Sequence, residues 1–367
     1  MALAGGGTGG HVYPSIAVAR ELVNLQHSTT SRPSRDVTML YIGVHGRIDE
    51  TIVPREGIPF RAISAGQLRV ASPLIFARNA LKLALGVAQA TWILLRFKPD
   101  VVFATGGYAS VPVGVAARLL RRPLIVYLPD VTPGWAVRLL SRLATRMATT
   151  SDRALEYLPK EKTRVVGYPV RGDFWSLDQT AAREQLGLPR EGRVLLVTAG
   201  SLGARKINEA VVAALPRLLE RCHIIHLTGA ADEAWANGQR TTLTQAQQER
   251  YTVRGYTDDV PAMMIAADLV VSRAGASTLG ELPAAGAASI LAPGEYEGWS
   301  QAPNAEFLQA QGAAIVLRNA ELDRLAATVI ELLDDEARLA SMRAAAKSLA
   351  RPNAARDLAQ MLVEAVA

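Results

Sequence analysis

The chain has 367 residues, a formal net charge of +6 and 49% hydrophobic residues, of which few are aromatic. That length exceeds one ordinary core and predicts two domains, while a core of Ala, Leu and Val favours an α/β protein over a β-sandwich. The single cysteine, Cys222, excludes an internal disulfide and fits a reducing compartment; no RNA-binding signature, zinc spacing or long Lys/Arg run accompanies the basic charge, so nucleic acid is not an expected partner.

Gly5-Gly6-Gly7-Thr8-Gly9-Gly10-His11 stands almost at the start. Its glycines let the backbone turn tightly, expose N–H groups and approach another molecule closely. Residues 12–23 read as a helix, with Pro14 near the first turn. A Gly-rich turn feeding a helix N-terminus suits anionic or polar oxygens, although a plain tight turn has the same composition. The spacing is not Gly-x-Gly-x-x-Gly, and no acidic residue stands about 20 residues on at a strand end, so a dinucleotide site is not indicated. Only residues 1–4 are left for a first strand, which is expected to be short or truncated. With no secretory leader before the loop, export is not expected.

Strands are predicted at residues 37–42, 101–104 and 124–127, with helices at 77–96, 111–120 and 136–143. Leu74, Ile75 and Phe76 form an apolar patch with Arg78, Lys82 and Arg96 nearby. The charges make this a poor transmembrane span, so residues 74–76 are expected to meet a membrane surface. Residues 81–95 are expected to be buried core. After a polar stretch at 173–190 the rhythm restarts: strand 194–198, helix 204–221, then strands 224–227, 253–256 and 269–272. Helices 322–333, 336–349 and 354–366 close the chain, with Pro352 breaking the last two. Two series of βα units predict an α/β fold of two Rossmann-like, doubly wound domains facing a cleft.

Further glycine turns follow predicted strands: Thr105-Gly106-Gly107-Tyr108 in the first half, Gly200-Ser201-Leu202-Gly203-Ala204 in the second. Such turns lie at the carboxyl ends of strands, where open α/β sheets bind ligands. The block from Ser272 to Glu281 leads a strand through small residues into a helix. Its amides suit a diphosphate, and Glu281 can accept hydrogen bonds from a ribose diol. Gln301 and Asn304 occupy another strand-end loop.

Taken together, Gly-Gly-Thr-Gly-Gly-His, Gly106-Gly107-Tyr108, Pro169-Val170-Arg171, Gly200-Ser201-x-Gly203-Ala204 and the block from Arg273 to Glu281 resemble the MurG family. These N-acetylglucosaminyltransferases complete lipid II in bacterial peptidoglycan synthesis. Gly57-Ile58-Pro59-Phe60 and Gly255-Tyr256-Thr257-Asp258-Asp259 extend the likeness over nearly the whole chain. The resemblance implies a GT-B glycosyltransferase with residues 1–168 as an acceptor and membrane-associating domain. Residues 169–350 would bind the nucleotide sugar, and 351–367 would form a C-terminal helix packing back on the first domain. It implies inverting, metal-free transfer of GlcNAc from UDP-GlcNAc to an undecaprenyl-linked acceptor, lipid I, at the cytoplasmic face of the cell membrane. UDP-GlcNAc is then a donor substrate, and no separate cofactor is expected.

By the same resemblance Arg171 would steady the leaving diphosphate, Ser201 would touch it, and Thr257 would lie against uracil. Ala276, Ser277, Thr278, Leu279, Gly280 and Glu281 would surround the nucleotide, with Glu281 on the ribose and Gln301 on a sugar hydroxyl. Thr8, Gly9 and Gly10 would close near the donor sugar, and Gly106, Gly107 and Tyr108 would serve the substrate site. His11 is the candidate base for the acceptor hydroxyl, because a neutral imidazole takes up a proton near pH 7; the alternative is a helix-start histidine bonded to its own loop.

The chain also departs from the family. Tyr127-Leu128-Pro129-Asp130 stands where His-Glu-Gln-Asn is usual, Tyr168 replaces the asparagine before Pro-Val-Arg, and Ser300-Gln301 replaces Gln-Gln. Asp130 accepts hydrogen bonds from a sugar but cannot donate as an asparagine does, and Leu128 removes an acidic group expected near the acceptor. Two alternatives therefore stay open, another lipid acceptor and a homologue that binds nucleotide sugar without transfer. A nucleotide-sugar 2-epimerase shares the two-domain fold but calls for cleft carboxylates and histidines, and of the five histidines His11 alone sits in a motif.

Overall fold

The computed structural model describes residues 1–6, 9–28, 37–66, 72–198, 200, 203–296 and 299–366. The chain divides into two compact units, Met1–Val170 with Arg351–Ala367, and Arg171–Ala350.

The first unit begins β1 (Ala2–Ala4), α1 (Gly9–Ser28), β2 (Leu40–Gly43), α2 (Ile48–Arg55), β3 (Phe60–Ala62) and α3 (Pro73–Phe97). It continues β4 (Val102–Ala104), α4 (Ser110–Leu119), β5 (Leu124–Leu128), α5 (Trp135–Leu143), β6 (Arg146–Thr149) and β7 (Thr163–Val165). Among the described residues these strands form one parallel sheet in the order β3-β2-β1-β4-β5-β6-β7. Leu3 pairs with Tyr41 on one side and Phe103 on the other, and Phe103 with Ile125. That row faces one core, while Ala4, Ile42, Ala104 and Val126 face the other. Alternate residues point to opposite faces, and both faces are covered, so each strand reads as an unbroken apolar run.

The second unit runs α6 (Gln179–Gln185), β8 (Arg193–Thr198), α7 (Arg205–Leu218), β9 (Cys222–Leu227), α8 (Glu233–Arg240), α9 (Gln245–Glu249) and β10 (Tyr251–Arg254). Then come α10 (Val260–Ala266), β11 (Leu269–Ser272), α11 (Thr278–Ala285), β12 (Ala288–Leu291) and the two-residue strands β13 (Glu295–Tyr296) and β14 (Trp299–Ser300). α12 (Ala302–Ala310), β15 (Ala314–Val316), α13 (Leu325–Asp334) and α14 (Glu336–Ser348) complete it. Its parallel sheet is ordered β10-β9-β8-β11-β12-β15. Leu195, Ile224, Val271 and Ile290 pack there against Leu215, Leu218, Val329 and Leu332 of the helices. The final helix, α15 (Ala354–Glu364), returns to the first unit and lays Leu358 and Leu362 on the core beneath α1.

Both units therefore carry the doubly wound order of a Rossmann-like sheet. Several expectations change in detail: α3 begins at Pro73 rather than residue 77, β2 spans Leu40–Gly43 rather than 37–42, and β10 spans Tyr251–Arg254 rather than 253–256. α1 starts at Gly9 rather than residue 12, so Pro14 lies inside the helix and not in its first turn. The polar stretch at 173–190 contains α6, whose N-cap Asp178 accepts the amide of Ala181. Residues 81–95 are not a buried core: Leu81, Leu85, Trp92 and Leu95 are all more than half exposed. The inward stripe of α3 is instead Asn79, Gly86, Ala90 and Leu94. A long apolar composition shows that a helix is hydrophobic, but not which side meets the protein.

Candidate active site

In the first unit the glycine turns after β1 and β4 interlock, because their parent strands are neighbours in the sheet. Gly106 and Gly107 have φ of +95° and +80°, which favour glycine. A Cβ on Gly107 would strike the carbonyl of Gly6, and one on Gly106 would lie 3.0 Å from Cδ2 and 3.2 Å from Nε2 of His11. The His11 imidazole therefore lies across the bare backbone of Gly106. Thr105 Oγ1 donates to the His11 carbonyl at 2.6 Å, and Ser110 Oγ bridges the carbonyls of Ala4 and Gly106. Gly9 and Gly10 form the opening of α1, and Tyr108 follows the second turn, half-buried.

Burial holds His11 below its ordinary pKa of 6.5, opposed by the charge of Asp130. The imidazole is consequently neutral at pH 7, the form able to accept a proton. Asp130 comes from the loop after β5. Thr150 fixes that loop by donating its amide to the Leu128 carbonyl at 3.2 Å and its hydroxyl to that of Pro129 at 2.8 Å. Leu128 itself is sealed in the core, so the departure at this position changes the packing under the site. Asp130 is the half-buried member of the segment.

Sequence reasoning assigned no role to Thr105, Tyr168 or Asp49. The hydroxyl of Tyr168 donates to the Gly10 carbonyl at 3.2 Å. Asp49 is fully buried and accepts the amide of Val44 at 3.3 Å, bracing the turn after β2. A cavity of about 270 Å³ opens at the carboxyl ends of β2 and β3, lined by His45, Ser64, Lys82 and Gln89 among others. Thr8 and Ser201 lie outside the described residues.

The second unit gathers the other predicted positions at the carboxyl ends of its strands. The loop between β11 and α11 is clamped on both sides. Ala274 donates its amide to Gln301 Oε1 at 3.3 Å, and its carbonyl accepts from Asn304 Nδ2 at 3.0 Å. Arg273 spans to the Ala292 carbonyl and Asn319 Oδ1, each at 2.9 Å. These contacts present Ala276, Ser277, Thr278, Leu279 and Gly280 at the start of α11, with Thr278 Oγ1 donating to the Gly275 carbonyl at 2.6 Å.

Glu281 lies in the first turn of α11. Burial pushes its carboxyl up, while a Ser277 hydrogen bond and the Arg171 charge pull it back. Arg171 also donates to the Asp258 carbonyl at 3.1 Å, beside Thr257, whose hydroxyl accepts the amide of Asp259 at 3.1 Å. Arg171 is thus bonded to the loop that carries Thr257, and its charge acts on Glu281. The turn before α7 is closed by Gly203 N–H donating to the Gly200 carbonyl at 3.0 Å. Among the described residues no group of three or more His, Cys, Asp and Glu is arranged to hold a metal ion.

Residues 1–149 match the model of the glycosyltransferase family 28 N-terminal domain, and residues 194–360 match that of its C-terminal domain. Curated relatives named UDP-N-acetylglucosamine--N-acetylmuramyl-(pentapeptide) pyrophosphoryl-undecaprenol N-acetylglucosamine transferase align end to end. The one from Roseiflexus sp. (strain RS-1) is 37% identical over 98% of this chain and 93% of its own. That of Listeria monocytogenes serovar 1/2a is 38% identical over 100% and 98%. Among solved structures, Acinetobacter baumannii MurG superposes with a TM-score of 0.73 at 24% identity, covering 99% of each chain. A UDP-GlcNAc 2-epimerase from Neisseria meningitidis reaches 0.66 at 13%, again with 99% of each chain covered; these two likenesses concern the fold. The full-length relatives and both domain models place this chain in glycosyltransferase family 28, and within it the chain belongs to the MurG family of N-acetylglucosamine transferases.

Proposed function

We propose that this protein is an inverting glycosyltransferase that moves GlcNAc from UDP-GlcNAc to undecaprenyl-diphospho-N-acetylmuramoyl-pentapeptide, lipid I, to give lipid II. Names of relatives with end-to-end similarity support the reaction. The observation that carries the chemistry is the neutral His11 imidazole at the head of α1. As general base it accepts the proton of the acceptor hydroxyl while that oxygen attacks the anomeric carbon. UDP then leaves with the electron pair of the broken glycosidic bond. Arg171 and the amides at the starts of α7 and α11 meet the diphosphate charge, and Glu281 takes the ribose diol. This division makes the first unit the acceptor side and the second the donor side, and it calls on no metal.

The exposed apolar face of α3 supports peripheral attachment to a membrane surface, which we place at the cytoplasmic face. Leu74, Ile75, Phe76, Leu81 and Leu85 are exposed beside Arg78 and Lys82, the composition of a helix that lies in a lipid interface. α3 is long and apolar enough to cross a bilayer, but its inward stripe is committed to the fold, which favours lying on the surface over spanning.

The test is release of UDP from UDP-GlcNAc by the purified protein with and without a lipid I analogue. Acceptor-dependent release accompanied by a lipid-linked disaccharide is the expected result. Donor binding with no transfer to any muramoyl lipid would overturn the acceptor assignment and favour the readings suggested by the segment from Tyr127 to Asp130, a different lipid acceptor or a homologue that binds the donor without transfer.

A further inference from the structure

In an α-helix the carbonyl of residue i accepts the amide of residue i+4. For Gly10 in α1 that partner is residue 14, a proline, which has no N–H to give. The Gly10 carbonyl is therefore left without its helical bond at the peptide immediately before His11. Tyr168, 3% exposed, donates its hydroxyl to this oxygen. On the other side of His11, Thr105 Oγ1 donates to the His11 carbonyl. The two peptide planes that flank the His11 Cα are thus each held by a side chain from outside the helix, and those planes set the direction in which the imidazole leaves the backbone. Tyr168 is anchored in turn, because the Tyr127 hydroxyl donates to the carbonyl of Gly167 at 3.0 Å and contacts Thr150 Oγ1 at 2.7 Å. Two positions at which this chain departs from its family, Tyr127 and Tyr168, belong to one connected path that ends at His11.

We propose that Tyr168 is a positioning residue for glycosyl transfer, its hydroxyl standing in for the amide that Pro14 lacks and fixing the backbone from which His11 reaches the acceptor. The proposal rests on the reading of His11 as general base. It makes a specific demand: restoring an N–H at residue 14 should make the Tyr168 hydroxyl dispensable.

The experiment compares wild type, Tyr168→Phe, Pro14→Ala and the double variant. Steady-state transfer to a lipid I analogue is measured together with the ¹⁵N-imidazole resonances of His11 in the protein without substrates. Tyr168→Phe should lower kcat about tenfold, leave the KM for UDP-GlcNAc within about twofold, and move the His11 resonances, because an interaction lost only from the chemical step leaves donor binding alone. The double variant should recover most of the lost kcat and return the resonances toward wild type. A wild-type kcat with unmoved resonances in Tyr168→Phe would overturn the proposal, as would a double variant no better than the single one. If no lipid acceptor supports transfer, the acceptor assignment fails, and the His11 resonances in the four proteins still decide whether Tyr168 sets the imidazole.

Discussion

The carboxamide oxygen of Gln301 accepts the backbone N–H of Gly294 at 2.8 Å, and it also takes the N–H of Ala274 at 3.3 Å. One side-chain atom thereby joins the loops after β11 and β12, and in the proposed donor site the amide nitrogen of Gln301 would meet a sugar hydroxyl. Gln301→Ala leaves both amides without this acceptor, at a cost of about 1–3 kcal/mol per unsatisfied group. The expected outcome is a rise of about tenfold or more in the KM for UDP-GlcNAc together with a lower Tm. Gln301→Glu keeps an acceptor oxygen in place and should restore Tm without restoring KM, which steady-state kinetics and a thermal melt on the two variants will distinguish.

Glu281 should bind the donor in its ionised form. Because burial raises its carboxyl above the ordinary value of 4.5, UDP affinity should begin to fall at a higher pH on acidification than an exposed glutamate would give. Glu281→Ala should weaken UDP about tenfold, the loss of hydrogen bonds to a charged group. Titration calorimetry with UDP and with its 2′,3′-dideoxy analogue gives the check. If Glu281→Ala weakens both ligands equally, the carboxylate does not meet the ribose.

Asp130 supplies the negative charge that opposes the depression of the His11 pKa. Asp130→Asn removes that support, so the His11 pKa should fall further. A base stays active for as long as it is unprotonated, so the acidic limb of the kcat/KM profile should move to lower pH. The shift should vanish when the same substitution is made in a His11→Gln background. Profiles between pH 5 and 8 for wild type, Asp130→Asn, His11→Gln and the double variant test the pairing.

His226 is fully buried between Tyr251 and Asn208. The Asn208 nitrogen already donates to the Thr228 carbonyl and to Asp232, so its oxygen faces His226 Nε2, which must carry the hydrogen, while Nδ1 accepts from the Tyr251 hydroxyl. Burial lowers the His226 pKa from 6.5 to about 4. The unfolded chain thus binds the extra proton first on acidification. The stabilising contribution is complete above pH 6.5 and is lost as pH falls toward 4, an amount of roughly 3 kcal/mol by linkage. Urea unfolding of wild type and His226→Gln across this range should show a shallower acid dependence in the variant.

The two sides of α3 should respond oppositely to substitution. Leu81→Glu and Leu85→Glu lie on the exposed side and should change stability by no more than about 0.5 kcal/mol, yet reduce sedimentation with anionic vesicles severalfold. Leu94→Ala removes a buried side chain and should cost about 2–5 kcal/mol with vesicle binding unchanged. Thermal melts and vesicle co-sedimentation separate the two faces.

The sequence alone determined the α/β class, the repeated βα rhythm and the loops that hold the site, because glycine turns, apolar runs and helix starts are local signals. The strands β3, β6, β7, β12 and β15 passed unseen; β3, β6 and β7 each carry an arginine, Arg61, Arg146 and Arg164, and so lack the unbroken apolar run that marks the equally short β4 and β11. α6 was hidden by its polar composition, and the exposed side of α3 by its apolar one. Only the tertiary structure decided which side of that helix faces the protein. It also decided that Thr105, Tyr168 and Asp130 converge on His11 from positions 94, 157 and 119 residues away in the chain. Composition fixes how much surface must be buried, but a hydrogen bond between distant residues exists only once the parallel sheet has placed β1, β4 and β5 side by side. The bond from Tyr168 to Gly10 shows both at work: Pro14, visible in the sequence, creates the need for a donor, and the fold supplies one.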